Sequence, residues 1–348
     1  MYHFRYSIIV TIFCLGLAAW WGYSQGGVSG ILPALSIAII LGIMEVSLSF
    51  DNAVVNASVL KEMDAKWRQI FLTVGILIAV FGMRLVFPIV IVAVAAGQGV
   101  IEVSKMAINQ PDVYSEHLHS SHTAIAAFGG TFLFMVFLSF LFDEGKELHW
   151  LGLIEEKLGQ LGKIESIEII IALLVLWSLQ NYLPLTPEDK MTLLLSGLGG
   201  LILFVIVDSL SSFFETKEEG EAIVEAVKRN GLMGFIYLEI LDASFSFDGV
   251  IGAFAITRDV VIIMLGLAIG AMFIRSMTVY LVNKGTLDEY VYLEHGAHYA
   301  IGILALIMFY SIHEQVPELF TGLVGVGFIV AAMISSLIYK NKHQAISN

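Results

Sequence analysis

Apolar residues fill long, nearly unbroken stretches of this chain, and the polar positions fall between those stretches instead of alternating with them. Ten stretches can be laid down, at about 5–22, 30–60, 69–97, 123–142, 167–183, 191–210, 231–257, 259–283, 297–312 and 318–339. A helix of roughly 20 apolar residues crosses the hydrocarbon core of a bilayer. Helices are the expected spanning form because each satisfies its own backbone polar groups in lipid, and the period-2 alternation of an outer-membrane barrel is absent. The pattern predicts an all-α fold: a polytopic transmembrane bundle of about ten helices, one membrane domain over 1–348, with cytoplasmic loops at 143–166 and 211–230.

The polar residues that interrupt the apolar stretches are not scattered. Glu45-Val-Ser-Leu-Ser-Phe-Asp51-Asn52 lies in the second stretch and Asp242-Ala-Ser-Phe-Ser-Phe-Asp248-Gly249 in the seventh. Each places a carboxylate, two serines and a Phe-Asp pair in the same register. The stretch that follows each copy carries a Gly nine residues before an Arg, Gly75 to Arg84 and Gly266 to Arg275. The chain therefore reads as an internal duplication, with half one at about 30–142 and half two at about 231–312. The copies lie in the second and seventh spans, an odd offset of five, so the halves are predicted to have inverted topology. In such transporters the substrate site lies near the midplane, where the repeats meet.

A charge near the bilayer centre costs roughly 2.5–3.5 kcal/mol even on lenient insertion scales, so intramembrane acids need partners. At 100° per residue, Glu45, Ser49, Asn52 and Asn56 form one narrow polar stripe, with Asp51 well off it. The helix is thus polar on two sides or unwinds near Ser49–Asn52, and in either case belongs inside the bundle. In the second copy Asp242 and Ser246 repeat the stripe, Glu239 joins it, and Gly249 and Ala253 replace Asn52 and Asn56.

Composition agrees: 57% of residues are hydrophobic and 14% charged, where a soluble domain carries about a quarter charged. Thirteen basic residues fall on one predicted side and three, Lys105, Lys190 and Arg258, on the other, which places both termini in the cytoplasm of a cell (inner or plasma) membrane. The net charge of −13 resides largely in loops, so it points to no basic partner, and no nucleic-acid partner is expected. The single cysteine, Cys14, excludes a disulfide framework or multi-thiolate metal site. The absence of a phosphate-binding Gly-x-x-x-x-Gly-Lys-Ser/Thr loop argues against direct ATP-driven pumping. No Ser/His dyad or zinc motif lies in the apolar stretches, so no enzyme activity is expected. The segment 7–22, with Arg5 before it and Ala18-Ala19 within it, has some features of a cleaved leader, but Trp20, Trp21 and Tyr23 favour an interfacial anchor.

Glu45, Asp51, Asp242 and Asp248 outnumber Arg84 and Arg275, which leaves room for a divalent cation. Carboxylate, amide and hydroxyl oxygens suit Mg²⁺, Ca²⁺ or Mn²⁺. The expected ligands are Glu45, Asp51, Asn52, Asp242 and Asp248, supported by Ser49, Ser246, Glu239, Arg84 and Arg275. The competing role for the acids is to pair with the two arginines and fix helix packing, and acids that take up protons would allow proton exchange. His117, His119 and His122 in the 98–122 loop are weaker metal candidates, Asp208 is a candidate exit-path residue, and 213–229 reads as an amphipathic connector.

At these residues a family resemblance emerges. Glu45-x-x-Leu48-Ser49-x-Asp51-Asn52-Ala53 with Met83-Arg84-Leu85, and Asp242-x-x-Phe245-x-x-Asp248 continuing through Thr257-Arg258-Asp259 to Arg275, resemble the two signatures of the TerC family of integral membrane proteins. That family includes the Alx-type manganese exporters and is similar to the LysE-like exporters. The resemblance implies export of Mn²⁺ as substrate, with the motif acids binding it and no permanently bound cofactor. The second signature departs from the family pattern: Gly249 stands where a Ser is usual, which removes one hydroxyl ligand. Two other functions fit parts of the pattern. One is an anion or oxyanion exporter that binds substrate through Arg84 and Arg275, and the other a non-transporting scaffold in a metal or oxyanion stress response.

Overall fold

The computed structural model describes residues 4–213, 231–284 and 290–347, apart from Glu147, Glu165 and Gln315, and no strand occurs among them. The helices are α1 (Arg5–Gly26), α2 (Val28–Leu48), α3 (Phe50–Glu62) and α4 (Ala65–Leu77), then a π-helical stretch (Ile78–Val86) and α5 (Phe87–Ala96). Next come α6 (Val100–Asn109), α7 (Pro111–Ser120), α8 (His122–Leu141), α9 (Leu153–Gly159), α10 (Ile167–Tyr182) and α11 (Pro187–Phe213). The chain closes with α12 (Gly231–Ile256), α13 (Val260–Lys284), α14 (Leu293–Ser311) and α15 (Glu318–Ser347).

All ten apolar stretches are helical, though not every one is a single straight helix. Seven of the described helices are long and apolar enough to cross a membrane, and an eighth span results if α4 and the helix beyond it, bent by 45°, are one. The stretch at 30–60 breaks at Ser49, inside the polar motif, and 69–97 changes to π-helix around Arg84. Helix α10 has only 16 residues, and the 26-residue α12 carries Glu239, Asp242 and Asp248 among its apolar positions. The 98–122 segment, expected as a loop, forms α6 and α7. Val103 and Ala107 give α6 a buried face at i, i+4 spacing, and Pro111 starts α7 where a missing N–H costs nothing.

Two apolar cores flank the motif helices. One gathers around α8, which α11 and α14 enclose; the other lies between α2 and α13, with α6 and α7 at its edge. Lipid supplies no hydrophobic drive between spanning helices, so close contact through small residues matters. At Gly270 of α13 a Cβ would collide with Cβ and Cγ of Glu45. Helix α1 joins the same core: the Ser7 hydroxyl donates to the Met272 carbonyl at 2.6 Å, and the Trp21 indole donates to Asp259 at 2.8 Å. The segment after α8, expected as a loop, is tied down by Glu155, which is fully buried. It accepts from Lys146 Nζ at 2.9 Å and from the Leu151 amide at 3.1 Å, and His295 stands 3.4 Å away. Burial pushes the Glu155 carboxyl up, but the bonds from Lys146 and Leu151, with the charges of Lys146 and His295, outweigh it and hold the group below its ordinary range.

Candidate functional site

Glu45 lies on the last turn of α2, just before the break at Ser49, and is 1% exposed. One carboxylate oxygen, Oε1, pairs with Nη2 of Arg84 and accepts the Ser49 hydroxyl at 3.1 Å. Arg84 belongs to the π-helical stretch, and its Nη1 donates to the carbonyl of Ala79 in the same stretch. Short π segments recur where helices are adapted to function. The other oxygen, Oε2, faces α12, where a Cβ on Gly249 would stand 2.7 Å from it. Gly249 is therefore more than a missing ligand: it makes room for the Glu45 carboxylate.

Asp242 on α12 is held by the other half. Its Oδ1 accepts Asn52 Nδ2 at 2.6 Å and Asn56 Nδ2 at 3.0 Å, both from α3. Ser246, one turn on, is buried with its hydroxyl unbonded. Asp is one methylene shorter than Glu45, so its carboxylate lies nearer its own backbone than the Glu45 carboxylate that reaches Ser49. One turn before Asp242, Glu239 is 8% exposed and neither of its carboxylate oxygens has a hydrogen-bond partner. Arg275 of α13 lies 4.1 Å from the centre of the Phe71 ring, a cation–π arrangement, and its Nε and Nη2 are buried without hydrogen bonds. Gly75 of α4 makes the space between them: a Cβ there would stand 2.7 Å from Glu239 Oε1 and 3.6 Å from Arg275 Nη1.

These groups surround a small cavity between the two motif regions, walled by Ser49, Asn52, Asn56, Asp242, Ser246 and the two arginines, with Ala79, Ala271 and Thr278 among the remaining wall residues. Its volume, about 30 Å³ open to the centre of a water molecule, is room for about two such centres at 10–15 Å³ each. The site residues expected from sequence thus fall into two groups. Glu45, Ser49 and Arg84 form one; Asn52, Asp242, Ser246, Glu239 and Arg275 gather around the other. Asp51 lies on α3 and Asp248 on α12, and their side chains lie outside the described residues. Among the described residues no three of His, Cys, Asp and Glu converge as they would around a metal. His117 and His119 lie on α7 and His122 opens α8; His119 Nδ1 bonds the Ser115 carbonyl at 2.8 Å, so the ring is engaged locally. Asp208, half-buried on α11, does not line the cavity. The 214–229 part of the expected amphipathic connector lies outside the described residues.

Three contributors had no sequence signal strong enough to single them out: Phe71 as the seat of Arg275, the Ala79 carbonyl as the seat of Arg84, and Thr278 as cavity wall. Asn56 was visible in the polar stripe, yet nothing there announced that its amide reaches Asp242.

A family model described as a protein of unknown function (DUF475) matches residues 50–344, a range that contains the second part of the first motif and all of the second. The chain belongs to this family. The uncharacterized membrane protein YceF of Bacillus subtilis (strain 168) is 29% identical over 156 residues, which is 42% of this chain and 58% of that protein. The aligned part therefore spans little more than half of that relative's length. No solved structure matches. The membrane-protein relative and the long apolar helices agree that the chain is a multi-pass membrane protein.

Proposed function

We propose that the chain exports a divalent metal cation, Mn²⁺ first among candidates, in exchange for protons, from a cell membrane in which both termini face the cytoplasm. The observation that carries this reading is the buried, oxygen-lined cavity where the two motif regions meet, with Asp242, Asn52, Asn56, Ser49 and Ser246 in its wall. The resemblance of the motifs to those of the TerC family points the same way. These helices carry five carboxylates, Glu45, Asp51, Glu239, Asp242 and Asp248, and two guanidinium groups, Arg84 and Arg275, a balance that favours a cation. Hard oxygen donors suit Mn²⁺ and its neighbours. The cavity is too small for a fully hydrated ion, so the cation sheds most of its water and takes ligands from Glu45, Asp51, Asn52, Asp242 and Asp248.

Inverted repeats account for the location: α2 packs on α13 and α12 on α4 and the π stretch, so each motif helix rests on the second helix of the other half. The test is metal flux in proteoliposomes under a pH gradient, comparing Mn²⁺ with Ca²⁺, Mg²⁺ and Zn²⁺. Saturable Mn²⁺ flux that Asp242→Asn abolishes supports the reading; folded protein that moves no divalent ion sinks it.

One observation favours an anion instead: both arginines wall the cavity, and Arg275 has buried N–H groups without partners. In that case Arg275→Gln abolishes oxyanion flux while Asp242→Asn leaves substrate binding largely intact.

A further inference from the structure

We propose that Arg84 is a tethered counter-ion: it occupies Glu45 while the cation site is empty, and the transported ion must displace it. The inference rests on the cation reading above and adds how the site is kept when no ion is bound.

Three observations carry it. First, Glu45 Oε1 already has two donors, Arg84 and Ser49, so a metal that takes this oxygen competes with the guanidinium for it. Second, Arg84 lines the cavity and Glu45 does not. An ion arriving in the cavity meets the guanidinium before the carboxylate, and two positive charges drawn to one buried oxygen repel each other. Third, the arginine in the matching position of the other half is placed differently. Arg275 lies on a continuous α-helix against the Phe71 ring, and no ion pair to Asp242 forms. In the register that aligns Arg84 with Arg275, Phe71 corresponds to Ile262, so Arg84 has no equivalent ring to rest on. Its hold is the Glu45 pair and the Ala79 carbonyl of its own π stretch.

Purified full-length protein in detergent tests this by Mn²⁺ calorimetry. Arg84→Gln is expected to bind Mn²⁺ at least tenfold tighter than wild type, and Arg84→Lys about as wild type. Arg275→Gln is expected to show no tightening. In proteoliposomes Arg84→Gln should keep Mn²⁺/Mn²⁺ exchange but lose most net efflux, because the empty site no longer has its own cation for the return step. Folded Arg84→Gln with unchanged or weaker binding overturns the proposal and leaves the exporter reading standing. Wild type that binds no divalent ion overturns both. A measurement on the wild type covers the case in which the variant does not fold. Modification of Arg84 by butanedione, mapped by mass spectrometry, should rise several-fold at saturating Mn²⁺, and a constant yield overturns the proposal.

Discussion

Glu45 and Asp242 hold the same register in the two copies of the motif, yet each is satisfied from a different direction. Asp242 receives two amides from the opposite half, Asn52 and Asn56. Glu45 receives nothing equivalent, because the positions that match Asn52 and Asn56 in the second copy are Gly249 and Ala253. The cross-half contact itself is kept: Asn52 touches Asp242, and Gly249 approaches Glu45 Oε2. Where one side offers an amide the other offers bare backbone, and Arg84 takes over as donor. The second asymmetry is Glu239, which corresponds to Gly42 in the first copy. Each faces a glycine of the other half, Gly75 and Gly266. The two motif regions touch at matching positions and exchange different groups there.

The largest way to break this comparison is at Glu45. Glu45→Ala leaves the buried Arg84 charge uncompensated, and removal of one partner of a buried pair costs about 3–5 kcal/mol, to be read as a lowered melting temperature in detergent. The Lys146–Glu155 pair, outside the cavity, is the reference for a purely structural ion pair, and Lys146→Met should cost a similar amount. Glu155 also gives that reference a pH signature. Its carboxyl is held below an ordinary value of 4.5, so its stabilisation is complete above that value and disappears as pH falls through the folded value. A melting temperature that is flat below pH 4.5 in the wild type would refute it. Next in size, Asn56→Ala removes one of two amides from Asp242, and hydrogen bonds to charged groups are worth about 1.5–3 kcal/mol. Gly249→Ala pushes a methyl group toward Glu45 Oε2, an overpacking of about 1–3 kcal/mol; the matching change in the other half, Asn52→Ala, removes a bond without adding a clash. Smallest is Glu239→Gln. Its carboxylate has no hydrogen bond to lose, so the melting temperature should stay or rise, and a fall as large as that for Asn56→Ala would show an unseen partner.

The sequence made the all-helical bundle plain, because each apolar stretch needs a helix regardless of what packs on it. It also carried the warning at Ser49: Glu45 and Asp51 point too far apart around a regular helix, and the chain breaks between α2 and α3. The π stretch gave no such warning, since Ile78 to Val86 is as apolar as ordinary spanning helix and only the Arg84 contacts reveal its use. Helices α6 and α7 were hidden by their polar surface. Charge made pairing between the motif acids and the two arginines a competing role, but that Glu45 takes Arg84 and that Arg275 rests on Phe71 depends on which helices meet, and spacing along one chain cannot report it.

The contact between Gly249 and Glu45 also limits what position 249 can become. The Glu45 carboxylate lies where a side chain at 249 would go. An amide like that of Asn52 cannot be introduced there by one substitution, since it would have to enter space already taken, and shortening Glu45 first would strand Arg84. Two changes would have to come together where either alone does harm, so the position is closed to single steps.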